Sequence, residues 1–117
     1  MELTDLESTK QALRKFALER DWDQFHSPKN LSMALAAEAA ELLEHFQWLT
    51  EAQSANLPPE KMAEVALEVA DIFLYVIRVA DKLNVDLLKV AAKKIELNKQ
   101  KYPAERVRGS SKKYTEY

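Results

Sequence analysis

Apolar residues recur at three- and four-residue spacing along most of this chain, and the breaks between the runs are short. Leu6, Leu13, Phe16 and Ala17 mark a first helix ending near Arg20, with Thr4 and Glu7 spaced as a capping box. Asp21-Trp22-Asp23-Gln24-Phe25-His26 breaks the period, and Ser27-Pro28 supplies a cap and a first-turn proline for a second helix reaching about Leu49. A polar stretch, Thr50 to Asn56, leads to Leu57-Pro58-Pro59, where the second proline opens a third helix running to about Leu83. Asn84-Val85-Asp86 connects to a fourth helix, capped by Asp86 and continuing through about Gln100. Tyr102-Pro103 stops it, because the residue before proline is pushed out of helical geometry. The pattern predicts an all-α fold, a four-helix bundle with short loops over residues 1–103. Residues 104–117 form a basic tail with little apolar periodicity, either disordered or ordered by a neighbouring surface, such as a site in a second subunit.

The third helix is apolar on nearly every side, from Met62 through Val65, Val69, Ile72, Phe73, Val76 and Ile77 to Leu83. One four-helix subunit cannot cover such a helix, so a homo-oligomer is expected. No apolar run escapes interruption by Glu or Asp for long enough to span a bilayer, and the start lacks a signal-peptide pattern, so the expected location is cytoplasmic.

Composition narrows the chemistry. There is no cysteine, which removes disulfides, thiolate zinc sites, iron-sulfur clusters and cysteine nucleophiles. The single glycine, Gly109, rules out Gly-rich phosphate loops and dinucleotide fingerprints. Charge is unevenly placed: residues 1–92 carry 9 basic and 16 acidic side chains, whereas residues 93–117 carry 8 basic and 3 acidic. A net basic charge only at one end, with a pI near 5.7 and no recognised binding motif, argues against a nucleic-acid-binding protein. An acidic body with a basic end fits two solvated surfaces, or a cation-holding carboxylate site with a basic segment over bound phosphates.

Carboxylates stand where core residues are expected. The stripe of the second helix is Leu31, Leu35, Leu42, Phe46 and Leu49, with Ala34 alongside; Glu38 falls inside it and Glu41 on its border. On the third helix Glu68, Asp71 and Tyr75 share one face. Buried carboxylates cost several kcal/mol each unless something positive compensates them. Ion pairing and protonation are two ways out, but Arg78 is the only basic residue in the apolar part of these helices. A hard divalent cation is the third, and it serves all four carboxylates together. No Glu-x-x-His pair of the di-iron type is present, which favours Mg²⁺, with Mn²⁺ as a substitute, over iron or zinc. His45 lies near the apolar stripe and reads as a core histidine rather than a ligand. A non-enzymatic helical protein, whose apolar third helix packs in an oligomer core, is the alternative reading.

Glu38-x-x-Glu41, 26 intervening residues and Glu68-x-x-Asp71 resemble the signature of the all-helical MazG-like nucleoside triphosphate pyrophosphohydrolases. The dCTP pyrophosphatase branch is matched more widely, in Arg20-Asp21-Trp22-Asp23-Gln24-Phe25-His26, Phe46-Gln47-Trp48, Asn98-Lys99-Gln100-Lys101-Tyr102-Pro103 and Arg108-Gly109-Ser110 with Lys113-Tyr114-Thr115-Glu116. The resemblance implies cleavage of a deoxynucleoside triphosphate, dCTP or a 5-modified dCTP, to monophosphate and pyrophosphate. Mg²⁺ would be held by Glu38, Glu41, Glu68 and Asp71, and Glu41 would orient or deprotonate the attacking water, with Glu44 in reserve. Trp22 and Trp48 would flank the base, and His26 would either bond near it or stabilise the loop. Asp71 and Tyr75 would also contact the substrate. By their own spacing, Lys94, Asn98 and Tyr102, four apart on the fourth helix with Lys101 beside Tyr102 in sequence, either reach triphosphate and sugar or form a basic face that complements the helix dipole, and Arg108, Lys112 and Lys113 follow in the tail. The family also implies a tetramer built as a dimer of dimers. Leu13 departs from it, standing where vertebrate members carry a base-enclosing histidine.

Overall fold

The computed structural model describes residues 1–111 and 115. Among them the regular structure is helical, without strands: α1 (Leu6–Glu19), a 3₁₀ turn (Asp23–Phe25), α2 (Pro28–Glu44), α3 (Glu51–Ser54), α4 (Pro59–Lys82), α5 (Leu87–Lys101) and α6 (Ala104–Val107). The four long helices stand where the periodicity puts them. The four-residue helices α3 and α6 were not expected, because one turn has no period to read and is held by its ends. At α3, the Thr50 hydroxyl accepts from the Gln53 amide and the Gln53 side chain accepts from the Thr50 amide.

The capping box of α1 is shifted by one residue from Thr4 and Glu7. The Asp5 carboxylate accepts from the Ser8 amide at 2.7 Å, and the Ser8 hydroxyl accepts from the Asp5 amide at 3.1 Å. A charged acceptor at the cap outcompetes the threonine hydroxyl. Ser27 caps α2 by accepting from the Asn30 amide, with Pro28 in the first turn. This helix stops at Glu44, short of Leu49, and the chain tightens into turns in which Phe46 and Leu49 bond to carbonyls three residues back. Asp86 caps α5 as expected, and the helix ends at Lys101 with Tyr102 as its C-cap, before Pro103.

The chain divides into two compact units, Met1–Asn84 and Val85–Tyr117. Within the first, α2 and α4 form the main helix pair and α1 packs on α4. Leu31 is the largest fully buried side chain, joined by Ala17, Val65, Ile77 and Ala80. The stripe holds as far as Phe46: Ala34, Leu35, Leu42 and Phe46 are half-buried, and so is Glu38 between them, whereas Leu49, beyond the end of α2, is exposed. Met62, Leu67, Val69, Phe73 and Val76 of α4 are exposed. In the second unit α5 buries no residue, and α6 follows it directly after Pro103.

Candidate metal centre and adjoining cleft

Glu38 and Glu41 lie one turn apart on α2, and Glu68 lies on the facing helix α4. Each offers a carboxylate oxygen, and these oxygens lie within 4.8 Å of one another. Asp71 is not part of that close group, yet its charge still acts on Glu38. Glu38 Oε2 and Glu68 Oε2 are buried without a hydrogen-bond partner among the described residues. Burial first, then the adjacent Glu41 and Glu68 carboxyls and the charge of Asp71, push the Glu38 carboxyl up to about 7. Nothing basic in the described residues pairs with this cluster except His45, whose Nε2 lies 3.8 Å from Glu68 Oε1. Arg78, the cation that composition left available, is engaged elsewhere: its guanidinium donates to Asp23 at 2.6 Å and lies 3.5 Å from Asp81.

Three oxygen ligands converging on one point, two of them with an oxygen lacking any partner, fit a hard divalent cation. All-oxygen donors suit Mg²⁺ or Mn²⁺ better than zinc or iron.

Beside the cluster, a cleft of about 630 Å³ opens within the first unit, between α1, the segment after it, and α4. Asp71, Tyr75 and Arg78 of α4 form one wall, Leu13 and Phe16 of α1 another, and Trp22 and His26 stand at the segment that joins α1 to α2. Asp71 therefore belongs to both features, lining the cleft and acting on Glu38.

The local chain path explains why Trp22 is there. Helix α1 ends with Asp21 in the left-handed region at φ 53°, the Asp21 amide bonding the Leu18 carbonyl and the Trp22 amide the Ala17 carbonyl. This pair of bonds reverses the chain at once, with aspartate filling the position glycine usually holds. Trp22 then meets Phe16 edge-on, with ring centroids 5.7 Å apart, while the Arg20 guanidinium lies 3.8 Å above the Phe16 ring.

The segment is pinned to α4 by charge. Asp23 Oδ1 accepts from Arg78 and from Lys82, both at 2.6 Å, and Arg78 Nε donates to His26 Nδ1 at 3.2 Å. Lys82, then Arg78, holds the Asp23 carboxyl below its ordinary range. Asp81 is held low chiefly by Arg14, whose guanidinium grips it with two bonds of 2.6 and 2.8 Å. Burial and then the Arg78 charge depress His26.

Of the residues singled out in the sequence, the cleft brings together Trp22, His26, Asp71 and Tyr75, while Glu38, Glu41 and Glu68 form the cluster. Trp48 does not line the cleft and is 87% exposed, so the two tryptophans do not enclose one ring in this chain alone. Lys94, Asn98, Lys101 and Tyr102 belong to the second unit. Lys112, Lys113, Tyr114 and Glu116 lie outside the described residues. The sequence reading did not give Arg78 a place in the site. Its spacing of seven from Asp71 and three from Tyr75, along the face that also carries Glu68, was the available signal.

The MazG-like family model matches residues 33–117. This chain belongs to the MazG-like family. The MazG-like chain is 40% identical over 113 residues to a dCTP pyrophosphatase 1 of Homo sapiens, and 41% over 113 residues to one of Mus musculus. Each match covers 95% of this chain and 66% of the relative, so the chain spans just under two thirds of the length of these curated relatives. A pyrophosphatase of known structure from Archaeoglobus fulgidus superposes with a TM-score of 0.80 at 32% identity, covering 88% of this chain and 96% of that one. No described helix is long and apolar enough to cross a membrane.

Proposed function

We propose that this chain is a Mg²⁺-dependent nucleoside triphosphate pyrophosphohydrolase that converts a deoxynucleoside triphosphate, with dCTP or a 5-modified dCTP favoured, to monophosphate and pyrophosphate. The observation that carries the reading is the convergence of Glu38, Glu41 and Glu68, with two buried oxygens lacking partners, next to an aromatic-walled cleft that shares Asp71. The names of the relatives, dCTP pyrophosphatase and pyrophosphatase, support the same chemistry.

Glu38, Glu41, Glu68 and Asp71 would hold Mg²⁺, or Mn²⁺ in its place. The cation supplies charge neutralisation for the triphosphate and acidifies water. Glu41, the exposed member of the cluster, takes the proton of the attacking water as the bond between the α and β phosphates breaks; Glu44 is the reserve base. The cleft holds the nucleoside, with Trp22 against the base and His26 and Tyr75 near it. Trp48 is assigned to the base from a neighbouring subunit's side. Lys94, Asn98, Lys101 and Tyr102 are assigned to triphosphate and sugar, and residues 1–103 to the catalytic domain.

The long helices of the first unit, α1, α2 and α4, carry the cluster and the cleft, and a homotetramer, a dimer of dimers, covers the exposed α4 residues. The protein acts in the cytoplasm on the nucleotide pool. Pyrophosphate release from dCTP, 5-methyl-dCTP, dTTP and dUTP tests the reading: release with deoxycytidine forms fastest supports it, and orthophosphate as the product would overturn it.

A further inference from the structure

Arg78 is almost completely buried, at 5% exposure, and none of its bonds reaches the carboxylate cluster. Its guanidinium carries only donors. The ring nitrogen facing Arg78 Nε must therefore be an unprotonated acceptor, and at 3.2 Å that nitrogen is His26 Nδ1. The proton of the neutral imidazole is then forced onto Nε2, to which no described protein group bonds, on a residue that lines the cleft beside Trp22. Through Asp23 the same guanidinium also fixes the backbone on which Trp22 and His26 are carried. Arg78 is itself braced, because Asp81 lies 3.5 Å away and is gripped from α1 by Arg14.

We propose that Arg78 is a positioning residue of the nucleoside cleft: it sets His26 in the Nε2–H tautomer, and so makes the cleft wall a hydrogen-bond donor for an acceptor atom on the base or sugar. The inference rests on the proposed function in naming a nucleoside as the ligand, and nothing in it depends on the metal. Arg78 touches neither the carboxylate cluster nor the reacting atoms; it works through His26.

The test reads the tautomer directly. Nitrogen NMR of the imidazoles in the ligand-free chain, assigned with His26→Gln, should show Nδ1 unprotonated and Nε2 protonated in the wild type, and a tautomer mixture in Arg78→Met. Titration with deoxycytidine 5′-monophosphate should shift the Nε2–H resonance. Arg78→Met keeps Lys82 on Asp23 and Arg14 on Asp81, so the fold has both carboxylates paired. In the turnover assay it should raise KM about tenfold with kcat within about twofold, and the increase should vanish in a His26→Gln background. A wild-type Nδ1–H, an Nε2–H indifferent to the nucleotide, or a KM effect of Arg78→Met that persists without His26 would overturn the proposal. If no triphosphate is turned over, the functional reading fails, while the tautomer and the nucleotide titration still decide the role of Arg78.

Discussion

Glu38 stands inside the apolar stripe of α2, where leucine would satisfy every packing demand, and its carboxyl is pushed up to about 7 by burial and by its acidic neighbours. The sign of the consequence follows from linkage. Between the ordinary value of 4.5 and about 7, the folded chain holds a proton that the unfolded chain has released, so Glu38 makes the metal-free fold less stable as pH rises through that window. His26, depressed from 6.5, acts in the opposite sense just below that value. The Glu38 contribution is isolated as the difference between wild type and Glu38→Gln. Urea unfolding in EDTA at about pH 5 and about pH 7.5 should show Glu38→Gln gaining on wild type at the higher pH, by about 1–2 kcal/mol. The same substitution should lower Mg²⁺-dependent turnover by more than about a hundredfold. Trp22→Ala tests the other half of the site: losing a stacking platform worth about 1–3 kcal/mol should raise KM by about 5–150-fold, with the melting temperature close to wild type because Trp22 is 46% exposed. At this scale the carboxylates were legible because charge inside an apolar stripe is an anomaly that periodicity exposes. Arg78 was not, since its partners Asp23 and His26 lie more than fifty residues away in sequence and only the fold brings them near.

Helix ends decide where these side chains stand. Prolines and caps at Ser27-Pro28, Pro58-Pro59, Asp86 and Tyr102-Pro103 could be read directly, because each acts on its own backbone. The end of α2 and the turns α3 and α6 could not, since bonds three residues apart leave no recurring apolar position. The ends of α1 and α4 show how a chain with one glycine reverses direction: Asp21 and Asn84 adopt φ of 53° and 55°, and each amide bonds a carbonyl three residues back. Asn84→Ala should cost about 1 kcal/mol, measured by urea unfolding, while Asn84→Gly should not destabilise the chain. Equal stabilities for the two variants would contradict this account of the α4 terminus.

For the molecule as a whole, the apolar side chains of α4 present the larger question. Leu67, Val69 and Phe73 are 70%, 50% and 44% exposed, and apolar surface gathered on one helix is the usual mark of a contact with another chain. Light scattering at micromolar concentration should give a tetramer, and Phe73→Glu should shift it toward smaller species; a wild-type monomer would contradict the assembly. The all-helical class and the places of the long helices were readable from spacing, but the packing of α1 on α4 that opens the cleft was not. That contact is pinned by the ion pair of Arg14 with Asp81, sixty-seven residues apart. Following pyrophosphate from dCTP with Mg²⁺, with EDTA, and with Glu38→Gln in Mg²⁺ shows whether Glu38, Glu41 and Glu68 hold the cation that allows a triphosphate to be cut. Release is expected in the first case alone, with the Glu38→Gln chain folded and at least as stable as wild type. Equal release by Glu38→Gln, or release that survives EDTA, would contradict that role.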